Sequence, residues 1–296
     1  MPTLRPSLLL PFLMLAACGG GEKPADGTSS GLVIGGEEAA VTSMYQMPTP
    51  NELFGLVRQM AGDGHRRLMN PSTNVDRYVS LRARAVNFGV YATDLVYASS
   101  FKLNVDVARY YLTSKKLAGS LGLDAAFTDA DFVRLESNLA RGDSLEIISN
   151  EAYQRAYERM QLENMGPVLH LVLAGGWMES MHLVIKQIEA FGGSDALMGR
   201  VAEQKVTLDH LLGMMESTRD QPDVAAVYTD LAAVRAIYDQ LEVKRSAHQG
   251  ASPSGRMVLG EDVTIELTQA KYQELAQAID RLRAEWTKPE GANTNS

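Results

Sequence analysis

Val168-Leu169-His170-Leu171-Val172-Leu173-Ala174-Gly175-Gly176-Trp177-Met178-Glu179-Ser180-Met181-His182-Leu183-Val184-Ile185-Lys186-Gln187-Ile188 is the stretch that decides the fold. Its apolar residues cover most of the circumference of a helix rather than one stripe. A helix of that kind has to be buried on nearly every side. It opens at Gly166-Pro167, where an early Pro gives up an N–H that has no intrahelical partner anyway. It closes at Gly192-Gly193-Ser194, a C-cap followed by a new N-cap. At about 25 residues it has the length of a bilayer span. Glu179, His182 and Lys186 in its second half make it a poor one, so it is read as the central buried helix of a bundle.

Helix signals flank this segment on both sides. Thr49-Pro50 starts a helix carrying Leu53, Leu56, Val57 and Met60, stopped at Gly62 and Gly64, and Asn70-Pro71-Ser72 is a turn. A long helix is predicted from about Asn74 to Lys102, with Val79, Leu81, Val86, Val90, Leu95, Val96 and Phe101 as its apolar positions. Others follow over Val105–Leu121 (ended by Gly119 and Gly122), from the Thr128-Asp129-Ala130-Asp131 cap to Arg141, over Ser144–Glu163, Asp195–Ser217 and Pro222–Lys244, and from Thr268 to Trp286. Residues 246–262 read as a long polar loop, and Val263–Glu266 is the only strand candidate. The class is therefore all-α, an irregular multi-helix bundle of about eight or nine helices. A helical-repeat solenoid is the alternative, ranked second because no signature recurs.

The chain has 296 residues, is 45% hydrophobic and carries a formal charge of -8. That sign speaks against nucleic acid, whose phosphates are bound by clustered Lys and Arg, and against a large face for anionic lipid. The single cysteine, Cys18, lies near the N-terminus, which leaves the folded part no disulfide, thiolate metal site or cysteine nucleophile.

The first 17 residues have the layout of an export leader: Arg5 and the terminal amine, then an apolar run from Leu8 to Leu15 too short to span a bilayer. Leu15-Ala16-Ala17-Cys18 resembles the bacterial lipobox, in which small residues admit the peptidase and the thiol takes the diacylglycerol. Cleavage there removes Arg5 and takes the formal charge from -8 to -9. Residues 18–47, the acylated Cys18 and a Gly-rich run, are read as a flexible tether spanning roughly 30 Å. Residues 48–287 are read as one α-helical domain and 288–296 as a disordered tail. Gly19, where an Asp would favour inner-membrane retention in enteric sorting, points to the outer membrane facing the periplasm.

Leu68-Met69-Asn70-Pro71, Asn74-Val75-Asp76-Arg77-Tyr78, Ala85-Val86-Asn87-Phe88-Gly89-Val90-Tyr91-Ala92-Thr93-Asp94-Leu95-Val96-Tyr97-Ala98-Ser99 and Leu171-Val172-Leu173-Ala174-Gly175-Gly176-Trp177-Met178-Glu179 together resemble an uncharacterised family of all-helical lipoproteins from Bacteroidetes and related bacteria. The resemblance covers most of the chain after the tether. It implies an address and a helical fold; it brings no activity, cofactor or catalytic residue.

Three features stand out as candidate sites. Asn87, Tyr91 and Asp94 share one helical face, and a buried carboxylate such as Asp94 needs a partner. That face is either a ligand pocket or, the favoured reading, an anchor pairing Asp94 with a Lys or Arg of a neighbouring helix, Lys115 and Lys116 being on the next one. Glu179 and His182 form Glu-x-x-His, half of a carboxylate-bridged di-iron motif whose second half is missing. The other histidines lack metal-ligand spacing, so no metal is expected. Gly175-Gly176 interrupts a helix at about 1 kcal/mol per Gly, which suggests close packing beside Trp177. No nucleophile elbow, phosphate loop or zinc-protease motif occurs. The functional expectation is a membrane-anchored lipoprotein with an envelope protein as partner, non-enzymatic and without cofactor. A small-molecule or metal-binding lipoprotein using Asp94, Glu179 or His182 ranks second, and an enzyme last.

Overall fold

A computed structural model describes residues 63–139, 145–191, 195–247 and 261–290, together with Phe54 and Arg58. The leader, Cys18, the tether and residues 248–260 lie outside the described residues. The described helices are α1 Leu81–Ser100, α2 Asn104–Ser120, α3 Asp129–Asn138, α4 Leu145–Leu162, α5 Gly166–Phe191, α6 Asp195–Met215, α7 Pro222–Tyr238 and α8 Gln269–Trp286. A short hairpin of β1 Glu242–Ala247 and β2 Glu261–Glu266 stands between α7 and α8. The protein is an all-α multi-helix bundle, and residues 46–296 form one compact unit.

The centre of the bundle is a pair of helices rather than one. Every residue of α5 from 168 to 185 is buried, and so is every residue of α1 from 85 to 100. The most apolar stretch of α5, long and apolar enough to cross a membrane, is 94% buried inside the fold. Around it pack α1, α4, α6, α7 and α8.

Glycine sets how closely the central pair approaches. A Cβ on Gly89 would lie 2.0 Å from the Val172 carbonyl oxygen, and one on Gly175 would lie 2.0 Å from that of Val86. Thr93 Oγ1 donates to the Gly176 carbonyl across the same crossing, at 3.3 Å. The helical interruption at Gly175-Gly176 is therefore offset by backbone-to-backbone packing that no larger residue permits.

The ends of the helices are explicit. Lys102, Gly122 and Asn164 have φ of 55°, 78° and 56°. In each case the next residue's N–H reaches back to the helix: Leu103 to Ala98 O, Leu123 to Ala118 O and Met165 to Met160 O, each at 2.8 Å. This closes α1, α2 and α4 with the same left-handed C-terminal turn.

Three expected boundaries are corrected. The helix expected from Asn74 begins at Leu81, because Ser72–Arg77 is a 3-10 segment and Ser80 is an extended N-cap whose side chain accepts from Ala83 N–H. Ser72, Thr73 and Asn74 offer the backbone local alternatives to an α-helix. Val79 and Leu81, assigned to the apolar face, are 61% and 49% exposed. The helix expected to reach Lys244 ends at Tyr238, and Val243 and Lys244 instead pair with Ile265 and Thr264. The tail expected from residue 288 is held as far as Glu290, whose N–H donates to Arg77 O and whose carboxylate accepts from Val79 N–H, Ser80 N–H and Ser80 Oγ–H. That places an acid at the N-terminus of α1, where the helix dipole favours it.

Candidate functional site: a sealed carboxylate pair and an open groove

The one-face spacing of Asn87, Tyr91 and Asp94 on α1 aims all three at Asn70-Pro71, in the connector just after the 3-10 turn Arg66–Leu68. Asp94 Oδ2 accepts from Asn70 N–H at 3.0 Å. Asn70 Nδ2 donates to Asn87 Oδ1 at 3.3 Å and to the Tyr78 hydroxyl at 3.0 Å. The hydroxyls of Tyr91 and, from α2, Tyr110 donate to the carbonyls of Pro71 and Asn70, each at 2.8 Å. Asn87 Nδ2 donates in turn to Trp286 O at the end of α8. Asn70 is buried, so its polar groups need partners, and side chains from α1 and α2 supply most of them.

On its other side Asp94 faces Glu179 of α5. Arg283 of α8 binds Glu179 with both ends of its guanidinium, Nε to Oε2 and Nη2 to Oε1, each at 2.7 Å, and also donates to Leu68 O at 3.0 Å. Such bidentate, charge-assisted bonds are among the strongest a side chain makes. Asp94 and Glu179 are both 0% exposed. Burial, and next the Glu179 carboxylate, push Asp94 well above the ordinary carboxylate range, although Arg283 and the Asn70 N–H pull the other way. Asp94 Oδ1 is buried and receives no hydrogen bond. Both the burial of that oxygen and the neighbouring carboxylate favour the neutral, protonated form of Asp94. Burial opposes the charge of Arg283, but Glu179 outweighs it and keeps the guanidinium protonated.

His182 belongs to a different group. Its Nδ1 lies 3.2 Å from Asp280 Oδ1, while Lys186 Nζ donates to Asp280 Oδ2 at 2.6 Å. Burial lowers the His182 pKa, so the ring is neutral near pH 7. The Glu-x-x-His pair thus splits, Glu179 to Arg283 and His182 to Asp280. Among the described residues no three His, Cys, Asp or Glu side chains gather as a metal site would need. The expected partners of Asp94 are also corrected: Lys115 pairs with Asp129 and Lys116 with Asp76.

Arg283, Asn70, Tyr110 and Asp280 were not singled out from the sequence. A signal for Arg283 was present. It lies four residues after Ile279 and seven after Ala276, both buried on the apolar stripe of α8, so its charge had to find a partner inside.

A second feature lies where α1 begins and α8 ends. A groove of about 680 Å³ is lined by Ala83, Ala226 and Trp286 together with the charged Arg82, Asp230, Glu285, Lys288 and Glu290. Trp286 Nε1 donates to Asp230 at 3.0 Å. None of Asn87, Tyr91, Asp94, Glu179 and His182 lines this groove.

No protein-family model, curated protein or solved structure matches the chain.

Proposed function

We propose that this chain is a lipid-anchored protein of the bacterial cell envelope, of the helical lipoprotein kind it resembles, and that its bundle is a non-enzymatic module that binds another envelope protein. The anchor rests on Leu15-Ala16-Ala17-Cys18 and the apolar leader before it. One contrast carries the interaction reading. The acids that could do chemistry, Asp94 and Glu179, are sealed and bonded within the fold, whereas general acid–base catalysis needs such groups within reach of a substrate. The groove beside Trp286 is open and sets Ala83, Ala226 and Trp286 among charged side chains of both signs, and the exposed Val79 and Leu81 adjoin Arg82 in sequence. A mixed groove with an aromatic side chain and charges of both signs, flanked by exposed apolar residues, suits a protein partner better than a catalytic role.

The test is a photo-crosslinking residue in place of Thr229, at the groove, in cells. It should give an adduct of one defined mass that Ala226→Arg, which fills the groove, abolishes. The same crosslinker at the exposed Leu162 of α4 should give none. No adduct at Thr229, or equal adducts at both positions, contradicts the reading.

The second reading is a small molecule in the same groove, favoured by a volume within the range of roughly 300–1,000 Å³ usual for ligand sites. Native mass spectrometry of the chain separates the two. Added mass lost on Ala226→Arg selects the ligand, and a bare mass with a crosslinked partner selects the protein.

A further inference from the structure

The acidic average of the chain hides a basic end. Around the turn that joins α1 to α2, the exposed side chains include Arg58, Arg66, Arg67, Lys102 and Arg109. They belong to one place. Arg58 Nη1 donates to Ser100 O at 2.8 Å, Lys102 forms the turn itself, and Arg66 and Arg109 meet on Asp106 at 2.6 Å each. Asp106 is completely buried between those two arginines, which leaves Asp63 as the exposed acid in the adjoining connector. Glu189, near the end of α5, is bound by Lys186. Lys102 adopts a left-handed conformation that a glycine would hold with less strain, so at this turn a cation occupies a position that favours glycine.

We propose that this end of the bundle docks on an anionic lipid surface, holding the domain with its groove turned away from the membrane. The inference rests on the lipid-anchor reading above. Phe54, the described residue nearest Cys18 in sequence, lies at the same end: it packs edge-on to Tyr97 with ring centroids 5.5 Å apart, and Gly64 sits against Phe101. The groove begins at Arg82, Ala83 and Val86, near the opposite end of α1, about 30 Å away for a helix of this length. A basic end on a body of formal charge -8 makes the molecule an electric dipole, attracted to an anionic surface at one end and repelled elsewhere. Each Lys or Arg held at such a surface strengthens binding by about fivefold, within a Debye length of about 8 Å.

The experiment uses the full chain carrying Cys18→Ser, which removes the acylation site, and compares its partition onto phosphatidylglycerol–phosphatidylethanolamine vesicles with that onto phosphatidylcholine vesicles. The anionic vesicles should be preferred. Arg67→Glu with Lys102→Glu should reduce that preference by more than about tenfold, and added salt should do the same. Arg159→Glu with Arg219→Glu makes the same change of net charge elsewhere and should leave the preference intact. Circular dichroism melts confirm that each variant is folded. No preference for anionic vesicles, or equal loss in the two double variants, overturns the proposal. Because acylation plays no part in this assay, a failed anchor and a failed docking face give separate results.

Discussion

Asp94 faces Glu179 across the crossing of α1 and α5, and Arg283 clasps the far side of Glu179 with two bonds of 2.7 Å. The arrangement puts two fully buried carboxylates beside one guanidinium, and burial together with Glu179 favours the protonated form of Asp94. It also pins the connector Leu68–Pro71, because Arg283 holds Leu68 O and Asp94 holds Asn70 N–H.

The trapped proton makes stability depend on pH in a stated direction. Asp94 has its pKa raised on folding, so the folded state keeps a proton that the unfolded chain releases near the ordinary value of about 4. This contribution is full below that value and is lost as pH rises through the folded-state pKa. Asp94→Asn keeps an acceptor for Asn70 N–H and a donor for Glu179 but has no proton to lose. Its melting temperature should fall less than that of the parent chain between mildly acidic and alkaline pH. Parallel melting curves across that range would show that Asp94 carries no trapped proton.

Arg283→Met leaves the buried Glu179 without its bidentate partner. Removing one member of a buried pair costs about 3–5 kcal/mol. Chemical denaturation at neutral pH reads the loss. A loss under about 1 kcal/mol at neutral pH would place the pair in a solvent-screened setting.

Glycine replacements should differ in sign. Gly89→Ala and Gly175→Ala each place a Cβ 2.0 Å from a carbonyl oxygen of the facing helix. Each should destabilise by about 1–3 kcal/mol or more, as overpacking does. Gly199→Ala and Gly213→Ala, on α6 with open space around them, should stabilise by up to about 1 kcal/mol through helix propensity alone. Thermal melts of the four variants check the contrast.

Lys102→Gly should stabilise the fold by about 1 kcal/mol by relieving the left-handed turn at the end of α1, while weakening binding to anionic vesicles. A variant that gains stability and loses lipid preference shows strain retained for a surface role. One that gains stability and binds as before separates the two.

The all-α class was legible because α5 is apolar nearly all round, a pattern that no strand of ordinary length reproduces. The Gly175-Gly176 crossing was legible for the same local reason: glycine inside a helix needs an external justification, and Val86 supplies it. The start of α1 was not legible. The period of Val79 and Leu81 continued into the helix, while the stop came from Ser80 and from Glu290, 210 residues away. The hairpin was half legible: Val263–Glu266 falls within β2, but β1 carries one large apolar residue, Val243, and shows no strand alternation. The spacing of Asn87, Tyr91 and Asp94 correctly placed them on one face. Their partners were hidden because Asn70, Tyr110, Glu179 and Arg283 come from four separate parts of the chain.

The most direct test of the lipoprotein account is mass spectrometry of the N-terminal peptide after expression of the full chain in a diderm bacterium. The account predicts a chain that begins at Cys18 and carries the mass of a diacylglycerol with a further acyl group, a mass that Cys18→Ser removes. A chain that keeps Met1, or that begins elsewhere with an unmodified thiol at Cys18, contradicts it.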